Sequence, residues 1–169
     1  MKKLSNTLQS TTKIRFQDCD PFNHLNNAAY LNYFVNARED QILEQYGIDI
    51  YEMASTIGVS WVVGSNQIAY INPAFLMEEV IIESQLLNFD ETSLFIELKM
   101  WNKDKTKIKA IMWSSIVHFN LMKQKREIHS EELMKLFKSV QNPIETSVFE
   151  TRVNYFKKNY KFPKKQKFV

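Results

Sequence analysis

An α+β fold, a long antiparallel sheet wrapped around one central helix with a short helix towards the C-terminus, is predicted by three observations. First, no Asp, Glu, Lys or Arg occurs between Asp20 and Arg38, and Ala28, Ala29, Tyr30, Leu31, Tyr33, Phe34 and Val35 give that helical stretch apolar character nearly all round. Such a helix is normally buried on most sides. Second, four long strand-like segments follow with no convincing long helix among them. Third, the order is strand, long helix, four strands, short helix, which segregates helix from sheet instead of alternating them.

Residues 1–10 read as a lead-in and residues 11–18 as the first strand, weakly alternating and rich in β-formers, stopped by Pro21. The central helix is expected to start at Asn26 or Asn27, both good N-caps, and to run to about Tyr46, with Gly47 as its stop. After Arg38, Glu39 and Asp40 it turns amphipathic, so its second half is expected to reach solvent. A short helical turn is expected over residues 49–56. The four strands are predicted at residues 59–71, 79–88, 92–102 and 107–121. Alternation is clearest in Leu94, Ile96, Leu98 and Met100 against Glu97 and Lys99, and again in Ile111, Trp113, Val117, Phe119 and Leu121. Residues 89–91 and 103–105 mark reversals between antiparallel strands, without the favoured Asn-Gly pair. Ser130, Glu131 and Glu132 open a helix to about Val140, with acids in its first turn and Lys135 and Lys138 later; Asn142-Pro143 ends it. The organisation is a lead-in at 1–10, one domain at 11–141 and a basic tail at 142–169.

The composition narrows the function. At 169 residues, with 44% hydrophobic and 24% charged side chains, the chain suits one globular domain. Only 3 glycines are present, and neither GxGxxG nor GxxxxGK occurs, which excludes the common nucleotide-phosphate loops. The single Cys19 excludes an internal disulfide and any multi-cysteine metal site, and His24, His118 and His129 lack metal-ligand spacing. No metal or cofactor is expected. The N-terminus lacks the apolar core of a signal peptide, and no apolar run approaches the ~18 residues of a membrane span, so no membrane partner is expected and the cytoplasm is the expected compartment. Trp61, Trp101 and Trp113 fall on strands and read as core or subunit-interface residues before nucleic-acid platforms. The net charge of +3 is uneven: six lysines (157, 158, 161, 164, 165 and 167) and no acid lie from Phe156 onward, and the rest sums to −3. That basic end reads either as a solvated terminus or as an arm that attracts a polyanion.

The chemistry concentrates between Asp18 and Tyr30. Two carboxylates, an imidazole and three carboxamides stand where a strand gives way to a helix N-terminus, a place where free backbone N–H groups can bind developing negative charge. Asp20 before Pro21 reads as a turn residue or as a functional carboxylate; Asp18, two residues earlier, shares its face if the strand continues. His24 reads as a turn histidine or as a group that orients substrate or water. Asn26 and Asn27 are equally explained as caps, and Tyr30 as core. Cys19, inside the strand, is expected to point away from Asp20.

The segment Arg15 to Tyr30 fits R-x-x-D-x-D-x-x-x-H-x-N-N-x-x-Y, and with the strand order over residues 10–122 it resembles the hotdog-fold thioesterases, most nearly the hydroxybenzoyl-CoA and acyl-ACP thioesterase branches. Tyr70 with Asn72-Pro73-Ala74 is similar to the family's Tyr-x-x-Pro-Ala stretch. The resemblance implies hydrolysis of an acyl-CoA or acyl-carrier-protein thioester, with Asp20 as nucleophile or general base and His24 as a helper. It implies backbone N–H groups at Asn26, Asn27 and Ala28 as the oxyanion site, and Asp18 and Tyr30 as supports. A thioester carbonyl needs a carboxylate that attacks it or activates water, and losing one oxyanion donor costs about 2.7–4 kcal/mol of barrier. Phe22 departs from the plant acyl-ACP pattern, which has Asn there, so a mechanism that needs that Asn is not implied; the hydroxybenzoyl branch relies on the aspartate. No cofactor is implied beyond CoA as part of the substrate. The resemblance further implies a homodimer or homotetramer paired edge to edge; in such an assembly the charge of the basic tail suits contact with the CoA 3′-phosphate or an acidic carrier protein. Two other readings are a hotdog hydratase or dehydratase, whose D-x-N-P-x-H order is not matched at Asp20 to His24, and a non-catalytic acyl-binding protein.

Overall fold

The computed structural model describes residues 4–160. In chain order these residues form strand β1 (Thr7–Lys13), a 3-10 turn (Phe16–Asp18), helices α1 (Ala29–Tyr46) and α2 (Ile50–Thr56), and strands β2 (Val59–Tyr70), β3 (Glu79–Phe89), β4 (Ser93–Asn102), β5 (Ile108–Asn120) and β6 (Lys125–Arg126). Helices α3 (Glu131–Val140) and α4 (Phe149–Asn159) follow. The sheet is antiparallel with order β1-β3-β4-β5-β2, and β6 adds to the end of β5. Register shifts interrupt three of its ladders, at Val63/Ser65, Leu86/Asn88 and Met100/Trp101. Such bulges bend a strand and raise its twist, and the sheet curls around α1 to give the hotdog architecture.

The predicted long strands fall where expected. Asp90 closes the β3–β4 reversal by accepting from the Thr92 and Ser93 N–H groups, each at 2.8 Å. Gly47 ends α1 in the left-handed conformation, with φ 69, and the Ile48 N–H reaches back to the Ile42 carbonyl. Ser130 caps α3.

Four local expectations are corrected. The first strand lies earlier, at Thr7–Lys13, so it consumes part of the expected lead-in; pairing with β3, from Thr7 opposite Gln85 to Lys13 opposite Glu79, decides its position over weak local alternation. Asp18 and Asp20 therefore lie beyond the strand and do not share a strand face. Helix α1 starts at Ala29, because Asn26 spends its carbonyl and side chain on a turn. Its burial is one stripe, Tyr30, Phe34, Ala37 and Gln41, while Leu31 and Leu43 are exposed, because the sheet covers one side only.

The fourth correction concerns residues 142–160, read from sequence as the start of a basic tail. Helix α4 packs Phe149, Val153 and Phe156 on the outer face of the sheet against Leu87, Trp101, Ile108, Ile111 and Trp113. The apolar stripe Ile111 and Trp113 faces this helix, while Ala110 and Met112 face the α1 side. Both faces of β5 are thus covered, and its alternation does not mark a solvent side. Lys157 and Lys158 lie in the last turn of α4; Lys161, Lys164, Lys165 and Lys167 lie outside the described residues. No helix among the described residues is long and apolar enough to cross a membrane.

Candidate active site

The chain leaves β1 through the 3-10 turn and folds back on itself over Cys19 to Leu25. Cys19 and Leu25 form an isolated antiparallel bridge, the Asp20 N–H donates to the His24 carbonyl at 2.8 Å, and the Asn23 N–H donates to the Asp20 carbonyl at 3.0 Å. Asn23 sits at φ 61, a left-handed conformation that Asn tolerates better than most residues. This small hairpin aims Asp20 at the start of α1.

The two sequence readings of Asp20 divide between its oxygens. Oδ1 accepts from the Phe22 N–H at 2.9 Å and the His24 N–H at 3.0 Å, which is the turn role. Oδ2 has no hydrogen-bond partner among the described residues. The carboxylate lines a cavity of about 230 Å³ together with His24, Leu25, Asn27, Tyr30, Tyr70, Ile71, Asn72 and Pro73. His24 is half-buried, its ring edge-on to Phe75 at 5.1 Å and its backbone bridged to Phe75.

The backbone donors at the helix start are sorted in the same way. The Asn26 N–H donates to the Asp18 carbonyl at 2.9 Å. The Ala28 N–H donates to Asn26 Oδ1 at 3.0 Å, and the Ala29 N–H to the Asn26 carbonyl at 2.9 Å. Of the three predicted oxyanion positions, Asn27 alone keeps an N–H with no partner among the described residues, and Asn27 alone lines the cavity. Ala28, itself in helical conformation, has no side-chain cap role.

Supporting contacts hold this edge. Tyr33 donates to Asp18 Oδ2 at 2.7 Å and accepts from the Arg15 N–H at 3.0 Å, so Asp18 braces the turn and does not face the cavity. Tyr30 is buried; its hydroxyl accepts from the Ala74 N–H at 3.2 Å, and burial pushes that phenol up to about 12. Tyr70 donates to the Asn27 carbonyl at 2.9 Å and lies edge-on to Tyr30. The buried Lys109 ammonium donates to the Pro73 carbonyl and pairs with Glu78, fixing the 73–78 segment that bonds Leu25 and Tyr30. Cys19 Sγ donates to the Arg15 carbonyl at 3.3 Å; burial first, then the charges of Asp18 and Asp20, push its thiol up, which disfavours the nucleophilic thiolate. No group of His, Cys, Asp and Glu among the described residues is arranged to hold a metal.

Sequence reasoning missed the roles of Tyr33 and Lys109, whose partners are 15–18 and 31–36 residues away. Tyr70 and Asn72 carried a signal, since both lie in the Tyr-x-x-Pro-Ala-like stretch; Asn72 is buried and donates to the Ile108 carbonyl at 2.6 Å.

Residues 14–159 match the family described as the thioesterase-like superfamily. No curated protein matches the chain. Among solved structures, a probable thioesterase from Escherichia coli, YbaW, superposes with a TM-score of 0.67 at 24% identity, covering 80% of this chain and 99% of that one. A 1,4-dihydroxy-2-naphthoyl-CoA thioesterase from Synechocystis gives 0.70 at 11% identity over 79% and 95% of the two chains. A DHNA-CoA thioesterase from Staphylococcus aureus gives 0.70 at 12% identity over 93% and 97%. At these identities the structural likeness speaks for the fold.

Proposed function

The chain belongs to the thioesterase-like superfamily, and on that premise we propose that this thioester hydrolase cleaves an acyl-CoA or acyl-carrier-protein thioester with Asp20 as the working carboxylate. The observation that carries the reading is the sharing of one cavity by a carboxylate oxygen and a helix-start N–H that both lack a partner among the described residues. Oδ1 is pinned by two backbone donors, so the side chain is oriented before substrate arrives. Oδ2 then faces the acyl carbon or the water that attacks it. The Asn27 N–H stabilises the oxyanion that forms, and the Tyr70 hydroxyl holds the Asn27 peptide in place through its carbonyl. His24 lines the same cavity and orients water or the leaving thiolate. The substrate brings CoA or the carrier arm; the reaction as drawn uses no other cofactor.

Strand β2 is the sheet's edge beyond β5, twelve residues long, with Val62, Val63 and Tyr70 exposed. A long exposed apolar edge favours pairing with another strand, which supports a homodimer joined at β2. Lys157 and Lys158, with the lysines that follow, would attract the phosphates of CoA or an acidic carrier.

Free-thiol release from a panel of acyl-CoAs, with Asp20→Asn alongside, tests the reading. Loss of at least about a hundredfold in kcat for Asp20→Asn, with folding intact, is expected. Undiminished turnover in that variant removes Asp20 from the chemistry. Enoyl-CoA hydration without thiol release would favour a hydratase, and binding without turnover an acyl-binding protein.

A further inference from the structure

A second cavity, of about 120 Å³, lies between α1 and the concave face of the sheet. Its walls are almost entirely hydrocarbon, from Val35 and Ile42 on α1 to Leu94, Ile96 and Met112 on the sheet and Phe137 on α3. Arg38 opens onto this apolar space. Its Nη1 donates to Ser84 Oγ at 3.0 Å. The Ser84 hydroxyl spends its own proton on Gln41 Oε1, and the Gln41 amide donates to Ser10 Oγ and the Ile82 carbonyl. Ser84 and Gln41 are buried, so the chain of bonds is anchored and holds the guanidinium in one orientation.

That chain satisfies one of the five N–H donors that an arginine carries. Arg38 forms no ion pair among the described residues: Glu39, which also borders the cavity, accepts the Tyr51 hydroxyl instead. Desolvation pushes the guanidinium down to about 10, so it remains a cation at neutral pH. Arg38 is half-buried, and with a single neutral partner among the described residues its guanidinium keeps donors to offer beside the apolar walls. The complement it lacks is an anion with two oxygens in a plane, which the guanidinium fork binds in a bidentate manner. Cavities of roughly 150 Å³ lined by hydrocarbon accept a benzene-sized body, so the space suits a compact apolar group.

We propose that Arg38 is a receptor for a carboxylate at the end of an apolar chain lodged in this cavity. Resting on the thioesterase reading above, the ligand is the acyl group of a thioester derived from a dicarboxylic acid; a free monocarboxylic acid, the product of hydrolysis, offers the same chemistry from a second source. Ten residues separate Ala28 from Arg38, about 15 Å along the helix, and side chains lean back towards the helix start. An acyl group held at Arg38 with its thioester at Asn27 would have to span that distance between two cavities that share no lining residue, which calls for a chain of medium length.

The test compares adipoyl-, suberoyl- and sebacoyl-CoA with hexanoyl-, octanoyl- and decanoyl-CoA by thiol release, in the wild-type chain and in Arg38→Leu and Arg38→Lys. Calorimetric titration with suberate and with octanoate runs beside it, including Asp20→Asn. The expected result is a preference of about tenfold or more in kcat/KM for at least one carboxylate-ended thioester over its methyl-ended partner, abolished in Arg38→Leu and weakened in Arg38→Lys. Arg38-dependent binding of octanoate without preference among the thioesters assigns the receptor to the free acid. Failure of both, no preference and no Arg38-dependent binding, overturns the proposal. If no thioester is cleaved, the hydrolytic reading falls while the titrations still decide the receptor, because Asp20→Asn is expected to bind suberate as the wild type does. Arg38→Leu is expected to melt no lower than the wild type; should it not fold, Arg38→Lys and Arg38→Gln carry the comparison.

Discussion

Two charged side chains lie on opposite faces of the same sheet, Glu97 buried and Arg38 half-buried, and the protein treats them differently. On the outer face, the fully buried Glu97 of β4 receives Arg152 of α4 through both oxygens, at 2.7 and 2.9 Å, and the Trp113 indole at 2.9 Å, with Lys99 at 3.7 Å. Lys99 and Lys105 extend the network to Glu83, which also accepts from Trp101 at 2.9 Å. On the inner face, Arg38 of α1 has the Ser84 hydroxyl and no acid among the described residues. Removing an ion from water costs several kcal/mol, and good geometry with full hydrogen bonding is what offsets it. Glu97 meets that condition inside the protein; Arg38, half-buried, meets it only through Ser84 among the described residues. The closed network ties α4 to the sheet; the open one faces a cavity. The contrast separates charge that builds the fold from charge held for a ligand.

The largest effect is expected on the outer face. Arg152→Ala leaves Glu97 without its bidentate partner and should cost about 3–5 kcal/mol of stability, measured by urea unfolding, while kcat per folded molecule stays unchanged. A cost below about 1 kcal/mol would show that Trp113 and Lys99 suffice for Glu97, and the contrast would weaken. On the inner face the sign should reverse. Arg38→Leu replaces a half-buried cation that has no acid partner among the described residues with hydrocarbon, and should leave stability unchanged or raise it by up to about 1 kcal/mol; a loss as large as that of Arg152→Ala would erase the distinction between the two charges.

Acidification probes the inner side again. His118 and His129 stack at 4.8 Å, and Trp61 Nε1 donates to His129 Nε2 at 3.1 Å. Burial, above all, holds both imidazoles below the ordinary value of 6.5. Below that pH the unfolded chain binds more protons than the folded one, so stability present above it is lost as pH falls through 6.5 towards the folded values. Unfolding midpoints should drop between pH 7 and pH 5.5, and His118→Leu should shrink the drop; an unchanged slope in that variant would assign the effect elsewhere. The smallest effect is expected at α3, whose Phe137 and Val140 wall the Arg38 cavity. Ser130 Oγ accepts from the Leu133 N–H, and Ser130→Ala should cost about 1 kcal/mol in unfolding experiments.

Much of the sheet was legible because its strands are long and their side chains alternate, and the reversals at Asp90 and Lys105 carry their own local chemistry. Helix α1 was legible as a helix, but its start was not: Asn26 is a good cap by residue type, yet its carbonyl and side chain close a turn onto Ala29 and Ala28. The first strand was displaced because its position depends on β3, some seventy residues away. Helix α4 was hidden by composition, since lysines at its end and beyond made the region read as a solvated tail while Phe149, Val153 and Phe156 repeat at helical spacing. In the site, the resemblance of the Arg15–Tyr30 motif to the thioesterases brought Asp20, His24 and Asn27 into view as candidates, and only hydrogen bonding separated Asn27 from Asn26 and Ala28.

The sequence by itself determined the segments and their periods and the strand-to-helix junction that gathers polar groups, Asp20 among them as a candidate, because each depends on neighbours a few residues apart. Tertiary structure decided, among the described residues, which oxygen of Asp20 is free, which helix-start N–H is unspent, and which charge meets an opposite one. Arg152 meets Glu97 across 55 residues of chain, and Arg38 meets Ser84 across 46. Whether a charge is paired depends on where distant segments come to rest, and no local pattern in the sequence records that.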